Sequence, residues 1–225
     1  VGNRAKIICG STNNNTQASV DMTKKVSKMG ADGILAVVPY YNKPPQEGLY
    51  QHFKAIAECT DLPVILYNVT GRTGTNMQPE TVARLAEIKN IAAVKEAGGS
   101  VEQAAKIRSL CKEDFAIYSG DDALTLPMLA VGACGIISVA AHIWGKEIQQ
   151  MVQSYHDKNT QAAKEMHLHL LKAFKTMFIT SNPIPVKAAM NLLGWNLGPF
   201  RLPLVPPSSA EEQIILQTLQ EYGLK

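Results

Sequence analysis

Six short apolar runs, each followed by a stretch with helical spacing, constrain this chain more than any other feature of its sequence. The runs are KIICG (6–10), GILAVVP (33–39), PVILYNV (63–69), IAAVKEA (91–97), FAIYSGD (115–121) and GIISVAA (135–141). They are rich in Ile and Val and nearly continuous rather than strictly alternating, a pattern that suits parallel strands covered on both faces. Between them, residues 16–31 place Val20, Met22, Val26 and Met29 close to one helical face, with Thr16 as the expected N-cap and Gly30 as the stop. Residues 48–60 put Leu49, Phe53 and Ile56 on one stripe, and residues 79–88 open with Pro79, where a missing N–H costs least. Residues 100–111 begin with Ser100 and carry Gln103 three positions on, a capping-box spacing, while Pro127 predicts a short or kinked helix in 123–133. Strand–helix alternation of this kind predicts an α/β fold with right-handed crossovers.

Two architectures satisfy that alternation, an open doubly wound sheet and a barrel. The turn after the first run, GSTNNNT, has neither the G-x-G-x-x-G spacing nor a phosphate-binding lysine of the open-sheet nucleotide folds. Polar groups stand instead at the end of nearly every run: Tyr40 and Tyr41, Tyr67 and Asn68, Lys95 and Glu96, Asp121 and Asp122, Ser138. A ring of functional groups at strand C-termini is how a (β/α)8 TIM barrel builds its site, so the expected fold is a barrel of about six β/α units. From His142 onward the spacing is helical, with Ser208 or Ser209 as the cap of a last helix. The expected organisation is a partial barrel over 1–145 and a helical extension over 146–225. At ~30 residues per unit, two further units, or ~60 residues, are expected to precede Val1.

Composition removes several function classes. A net charge of +3 without a run of like charges implies no nucleic-acid partner. No stretch of ~18 apolar residues occurs, so no membrane span is expected. The four cysteines fall in no ligand or C-x-x-C spacing and read as free thiols of a reducing, cytoplasmic compartment.

Lys95 ends an apolar strand, and a lysine directed into a barrel is unusual. A neutral, desolvated amine there can form an imine with a carbonyl substrate; the alternative is a side chain that reaches solvent or pairs with Glu96. Tyr67 can move protons beside such an amine or can be a core tyrosine with a satisfied hydroxyl. Tyr40 and Tyr41 are an aromatic pair at the mouth, or serve packing or a subunit contact. Arg72 suits a substrate carboxylate or is a surface arginine. Asp121 and Asp122 read as a loop and helix cap. His52, His156, His167 and His169 read as surface or packing residues, and His142 as the one near the mouth.

PYYNKPPQEGLYQHF, ILYNVTGRTG, IAAVKEAGG, YSGDDA and GIISVAA occur in order at these strand ends, and IPVKAAMNLLG and FRLPLVP follow in the carboxyl third. The set resembles the dihydrodipicolinate synthase family of the pyruvate-dependent class I aldolases, relatives of N-acetylneuraminate lyase, across nearly the whole chain. The resemblance implies that the runs are strands three to eight of the family barrel. It makes Lys95 the imine-forming lysine and Tyr67 the catalytic tyrosine. Tyr41 would be the tyrosine that enters a neighbouring subunit's site, so a homo-oligomer, dimer or tetramer, is implied. Arg72 would receive the carboxylate of an aldehyde substrate, with Ile137 and Gly120 facing the site. The implied partners are pyruvate and aspartate-semialdehyde, condensed to 4-hydroxy-tetrahydrodipicolinate in lysine biosynthesis, with no cofactor or metal. Cleavage of a sialic acid or another 2-keto acid is the alternative chemistry, and a ligand- or subunit-binding chain without turnover is the non-enzyme alternative. The family's G-T-T-G-E loop does not occur in the sequence, and little synthase activity is therefore expected of the chain as given. Thr70 stands where the family has proline, which predicts a looser loop before Arg72.

Overall fold

In a computed structural model, which describes Gly2 and residues 4–225, the chain separates into two compact units, Val1–Ile137 and Ser138–Lys225. In the first unit, six strands form one sheet in chain order: β1 (Ile8–Gly10), β2 (Gly33–Val37), β3 (Val64–Asn68), β4 (Ile91–Glu96), β5 (Ala116–Ser119) and β6 (Gly135–Ile136). Every neighbouring pair is parallel. Each connection must carry the chain back along the sheet, and helices do so. They are α1 (Thr16–Lys28), α2 (Gln46–Glu58), α3 (Thr70–Thr73), α4 (Pro79–Ala86), α5 (Val101–Leu110) and α6 (Thr125–Ala130). The six apolar runs are thus strands of an α/β fold, as their pattern predicts.

Register and burial separate the two faces of this sheet. Side chains alternate between faces along a strand, and residues at one register level share a face. Ala36, Leu66, Val94 and Ile117 lie on the buried face, packed in one core with Leu49, Phe53 and Ile56 of α2, Leu85 of α4 and Ile107 of α5. Phe53, Leu49 and Ile56 are fully enclosed, each stabilising the fold by about 1.5–3 kcal/mol through burial. Val37, Tyr67, Lys95 and Tyr118 share the other face and are only half-buried. The expectation of full cover on both faces therefore holds for one face, because the helices of this unit pack against that one.

Local signals in the sequence account for the helix ends, with two shifts. Asn15, not Thr16, caps α1, accepting from Ala18 N at 2.9 Å. The Thr16 hydroxyl is engaged elsewhere, 2.9 Å from His52 Nδ1. Ser100 caps α5 by accepting from Gln103 N at 3.0 Å, but the Gln103 side chain does not complete the box. Its Oε1, the atom such a box would use, accepts instead from Asn76 Nδ2 at 2.9 Å, while its Nε2 donates to Glu96 Oε2 at 3.1 Å and Asn76 Oδ1 at 3.2 Å. Gly30, at φ +84°, follows α1 in the left-handed conformation that ends a helix. Pro127 sits in the first turn of α6, where its lost N–H has no intrahelical partner.

The second unit is helical: α7 (Ala141–His156), α8 (Thr160–Thr176), α9 (Ile184–Leu192) and α10 (Ser209–Glu221). Trp144, Met151, Leu170, Phe174, Ala189, Ile215 and Leu219 form its buried interior. Ser208 caps α10 and forms a reciprocal capping box with Glu211. Among the described residues, no helix is long and apolar enough to cross a membrane.

Candidate active site

Lys95 and Tyr67 end neighbouring strands and are register partners, so their side chains leave the sheet on the same face at the same level. The Lys95 Nζ lies 4.1 Å from the centroid of the Tyr67 ring. Burial of the amine brings its pKa down from the ordinary lysine value to about 8; the nearby Arg72 cation adds to that effect and the Asp122 anion opposes it. Burial also raises the Tyr67 phenol, and Arg72 counters in part. The two groups therefore share one desolvated pocket at the carboxyl ends of β3 and β4, with a guanidinium and a carboxylate acting on it.

The pairing of Lys95 with Glu96, open on sequence grounds, does not occur. Adjacent strand residues face opposite ways, and Glu96 is buried on the helix-covered face. There it accepts hydrogen bonds from Asn68 Nδ2 at 3.0 Å, Gln103 Nε2 at 3.1 Å and Gly98 N at 2.6 Å.

Arg72 lies in the one-turn helix α3, which ends at Gly74 in the left-handed conformation at φ 67°. Its side chain is exposed. The Thr70 hydroxyl donates to Asn76 Oδ1 at 3.2 Å, a bond that proline could not make.

Gly120 lies beside the lysine for a steric reason. A Cβ there would stand 2.6 Å from the Ala97 Cβ and 3.1 Å from both Cγ and Cε of Lys95. Its N–H donates to the Glu96 carbonyl at 2.8 Å, and Ile137 N donates to the Ser119 carbonyl at 2.9 Å. Both residues thus extend the strand ladder to the site end of the sheet.

Tyr41 is placed differently. Its ring is 87% exposed, and its backbone is at φ 75°. That conformation costs a non-glycine residue about 1–2 kcal/mol. Asn42 N closes a three-residue turn onto the Tyr40 carbonyl at 2.9 Å, and Tyr41 N reaches the Thr73 carbonyl at 3.3 Å. The ring is therefore held outward while its backbone is tied to the helix that carries Arg72.

The reading of Asp121 and Asp122 as a loop and helix cap is met at Asp121. Asp121 Oδ1 accepts from Ala123 N at 2.9 Å and Leu124 N at 3.3 Å. Asp122 is buried, 2% exposed, and its charge acts on Lys95. No feature of SGDDA distinguishes the two, although one cap already serves the turn. Among the histidines, His52 is buried against Phe53 and belongs to the packing of α2.

A sheet of parallel strands in chain order, with a desolvated lysine and an in-register tyrosine at their carboxyl ends, defines a class of β/α protein built for chemistry at the strand mouths. The profile of the dihydrodipicolinate synthetase family matches residues 1–222, and the chain belongs to that family. It is 53% identical over 225 residues to the 4-hydroxy-tetrahydrodipicolinate synthase of Synechococcus elongatus, covering all of this chain and 75% of that one. Among solved structures, it is similar to the lysine-bound dihydrodipicolinate synthase of Cyanidioschyzon merolae, with a TM-score of 0.97, 48% identity, and cover of 100% of this chain and 76% of the other. It is also similar to the chloride-inhibited Acinetobacter baumannii enzyme complexed with pyruvate, with a TM-score of 0.96, 40% identity, and cover of 100% and 77%.

Proposed function

We propose that this chain is a carbon–carbon bond-forming lyase that holds pyruvate as an imine on Lys95 and joins it to aspartate-semialdehyde, giving 4-hydroxy-tetrahydrodipicolinate on the route to lysine. The observation that carries this reading is the half-buried Lys95 amine, with its pKa near 8, on the ring of Tyr67. The neutral amine attacks the ketone carbon of pyruvate, and loss of water leaves the imine. The protonated imine draws electrons from the methyl carbon, a proton leaves, and the enamine attacks the aldehyde carbon. The new carbon–carbon bond forms as the aldehyde oxygen takes up a proton. The amine carried by the semialdehyde then attacks the iminium carbon, and expulsion of the Lys95 amine closes the six-membered ring and frees the enzyme. The iminium is the electron sink, so the scheme requires no metal or organic cofactor.

In this reading Tyr67 passes protons to and from the carbinolamine oxygen, from a position on the same face and level as the amine. Arg72 receives the aldehyde's carboxylate, its exposed guanidinium lying at the rim. Gly120 and Ile137 bound the pyruvate side. Tyr41, held outward at an energetic cost, suits a residue presented to another subunit of a homo-oligomer. The six-stranded sheet is read as strands three to eight of a (β/α)8 barrel over residues 1–145, followed by the helical region, in a cytoplasmic protein. The parallel order and the likeness to solved family members support that assignment.

Incubation with pyruvate, reduction with borohydride and peptide mapping test the reading. One reduced pyruvate on the peptide containing Lys95, absent from a Lys95→Ala variant, is the expected result. A folded protein that acquires no adduct, or acquires it on surface lysines alone, overturns it.

A further inference from the structure

On the face of β3 and β4 opposite Lys95 and Tyr67 lies a second polar group that the proposed chemistry does not use. Glu96 is 1% exposed and Asn68 fully buried. Glu96 Oε1 accepts from Gly98 N at 2.6 Å and from Asn68 Nδ2 at 3.3 Å. Oε2 accepts from Asn68 Nδ2 at 3.0 Å and from Gln103 Nε2 at 3.1 Å. These donors are all neutral amides, and among the described residues Glu96 has no ion-pair partner. Burial raises the Glu96 pKa, and three N–H groups oppose that by favouring the carboxylate: those of Gly98 and Gln103, and one Asn68 N–H shared between the two oxygens. The backbone is shaped around it, since a Cβ on Gly98 would stand 2.6 Å from Oε1.

The network runs outward to one segment. Asn68 Nδ2 donates to Asn76 Oδ1 at 2.8 Å, and Asn68 Oδ1 accepts from Met77 N at 3.0 Å. Asn76 Oδ1 also accepts from Thr70 Oγ1 at 3.2 Å and Gln103 Nε2 at 3.2 Å, and Asn76 Nδ2 donates to Gln103 Oε1 at 2.9 Å. Both ends of residues 70–77 are thereby tied to Glu96, and Arg72 lies between them.

A buried charge compensated by dipoles alone is a poor source of stability beside well-packed apolar groups, and in some proteins buried polar groups instead specify one geometry. We propose that Glu96 is a positioning residue: through Asn68, Asn76 and Gln103 its buried carboxylate sets the place of the 70–77 segment, and so of Arg72, relative to Lys95. It acts on the aldehyde subsite and leaves pyruvate's site on the opposite face of the strand untouched. The inference rests on the role given above to Arg72.

Glu96→Gln keeps the shape but turns an amide N–H₂ toward groups that donate. Its test is hydrogen exchange at Arg72, Thr73, Gly74, Thr75 and Met77, whose amides donate to Val69, Thr70, Thr73 and Asn68 and so report the hold on the segment. Exchange there is expected to accelerate by about tenfold or more while β2 and β5 keep their protection. In kinetics, KM for aspartate-semialdehyde is expected to rise by about tenfold, with borohydride-trapped pyruvate adduct at Lys95 within about twofold of the parent. If Glu96→Gln does not fold, Asn76→Ala carries the same test, since it cuts the link to Thr70 and leaves the donors on Glu96. Unchanged exchange in 70–77, or a loss of adduct equal to the loss of turnover, overturns the inference. If the parent chain forms no adduct, the proposed chemistry fails separately, and exchange alone decides whether Glu96 holds the segment.

Discussion

The Lys95 amine stands 4.1 Å from the centre of the Tyr67 ring, on an adjacent strand and in register with it. Two effects oppose each other in that contact. The negative face of the ring favours an ammonium by about 0.5–2 kcal/mol, whereas removal of water disfavours it. Burial is the largest influence on the amine, and the net result is a pKa near 8. At pH 7 about a tenth of the amine is then neutral, against ~1 in 3,000 for an ordinary lysine.

The rate of pyruvate trapping at Lys95 should therefore rise with pH and level off above a midpoint near 8. Only the neutral amine attacks, so the sign is fixed: acid slows trapping. Trapping measured at fixed pyruvate from pH 6 to 10.5 gives the midpoint. A midpoint near 10 would mean that the pocket does not desolvate the amine.

The same shift makes Lys95 costly to the fold. Its folded pKa lies below its unfolded value, so the cost is fully present below about pH 8 and disappears as pH rises towards 10.5. Discounted for the open side of the pocket, it amounts to about 1–2 kcal/mol. Lys95→Met should raise the thermal midpoint at pH 7 by roughly 2–8 °C. The gain should shrink at pH 10, as read by calorimetry or circular dichroism at both pH values.

Arg72 and Asp122 act on this amine with opposite signs. Arg72→Ala removes a cation, favours the ammonium and should move the trapping midpoint upward. Asp122→Asn removes an anion and should move it downward. The Arg72 effect should fade in high salt, because that side chain is exposed, and the Asp122 effect should persist, because that one is buried. Midpoints that move the same way, or neither, would break the electrostatic account.

Tyr67→Phe keeps the ring beneath the amine and removes the phenol. The trapping midpoint should stay near 8, while the rate at which the adduct forms falls by ~10²–10⁴, the usual range for a lost proton-transfer group. A rate within a few-fold of the parent would assign the proton transfers to water.

The alternation of strands and helices was legible because Ile- and Val-rich runs and helical spacing are strong local signals, and Lys95 and Tyr67 stood out as polar ends of apolar strands. Their contact was not legible, since it depends on the register between β3 and β4. Strand parity alone shows that Glu96 cannot share a face with Lys95, yet both were grouped at the mouth because they are neighbours in sequence. Nothing in SGDDA tells which aspartate is buried and acts on Lys95 and which accepts at the turn; that depends on the fold. Thr16 was displaced as cap because His52, 36 residues on, engages its hydroxyl.

Gly120→Ala tests the steric side of the site. A methyl group at that position would meet the Ala97 Cβ at 2.6 Å, a contact that cannot persist, and the Lys95 chain at 3.1 Å. Ala97 sits on backbone bound to the Asn68 carbonyl at 2.8 Å, so β4 has little room to retreat. The flexible partner is the lysine, and it should be pushed out of its place over Tyr67. Stability should fall by about 1–3 kcal/mol, as for other overpacked sites. Pyruvate trapping should fall more than stability accounts for, and the displaced, better-solvated amine should titrate above pH 8. Gly120→Ser should behave alike, because its Cβ occupies the same place. Measured trapping midpoints for both variants, with unfolding curves from the same samples, separate a displaced lysine from a merely weakened fold: in the second case the midpoint stays where it is in the parent.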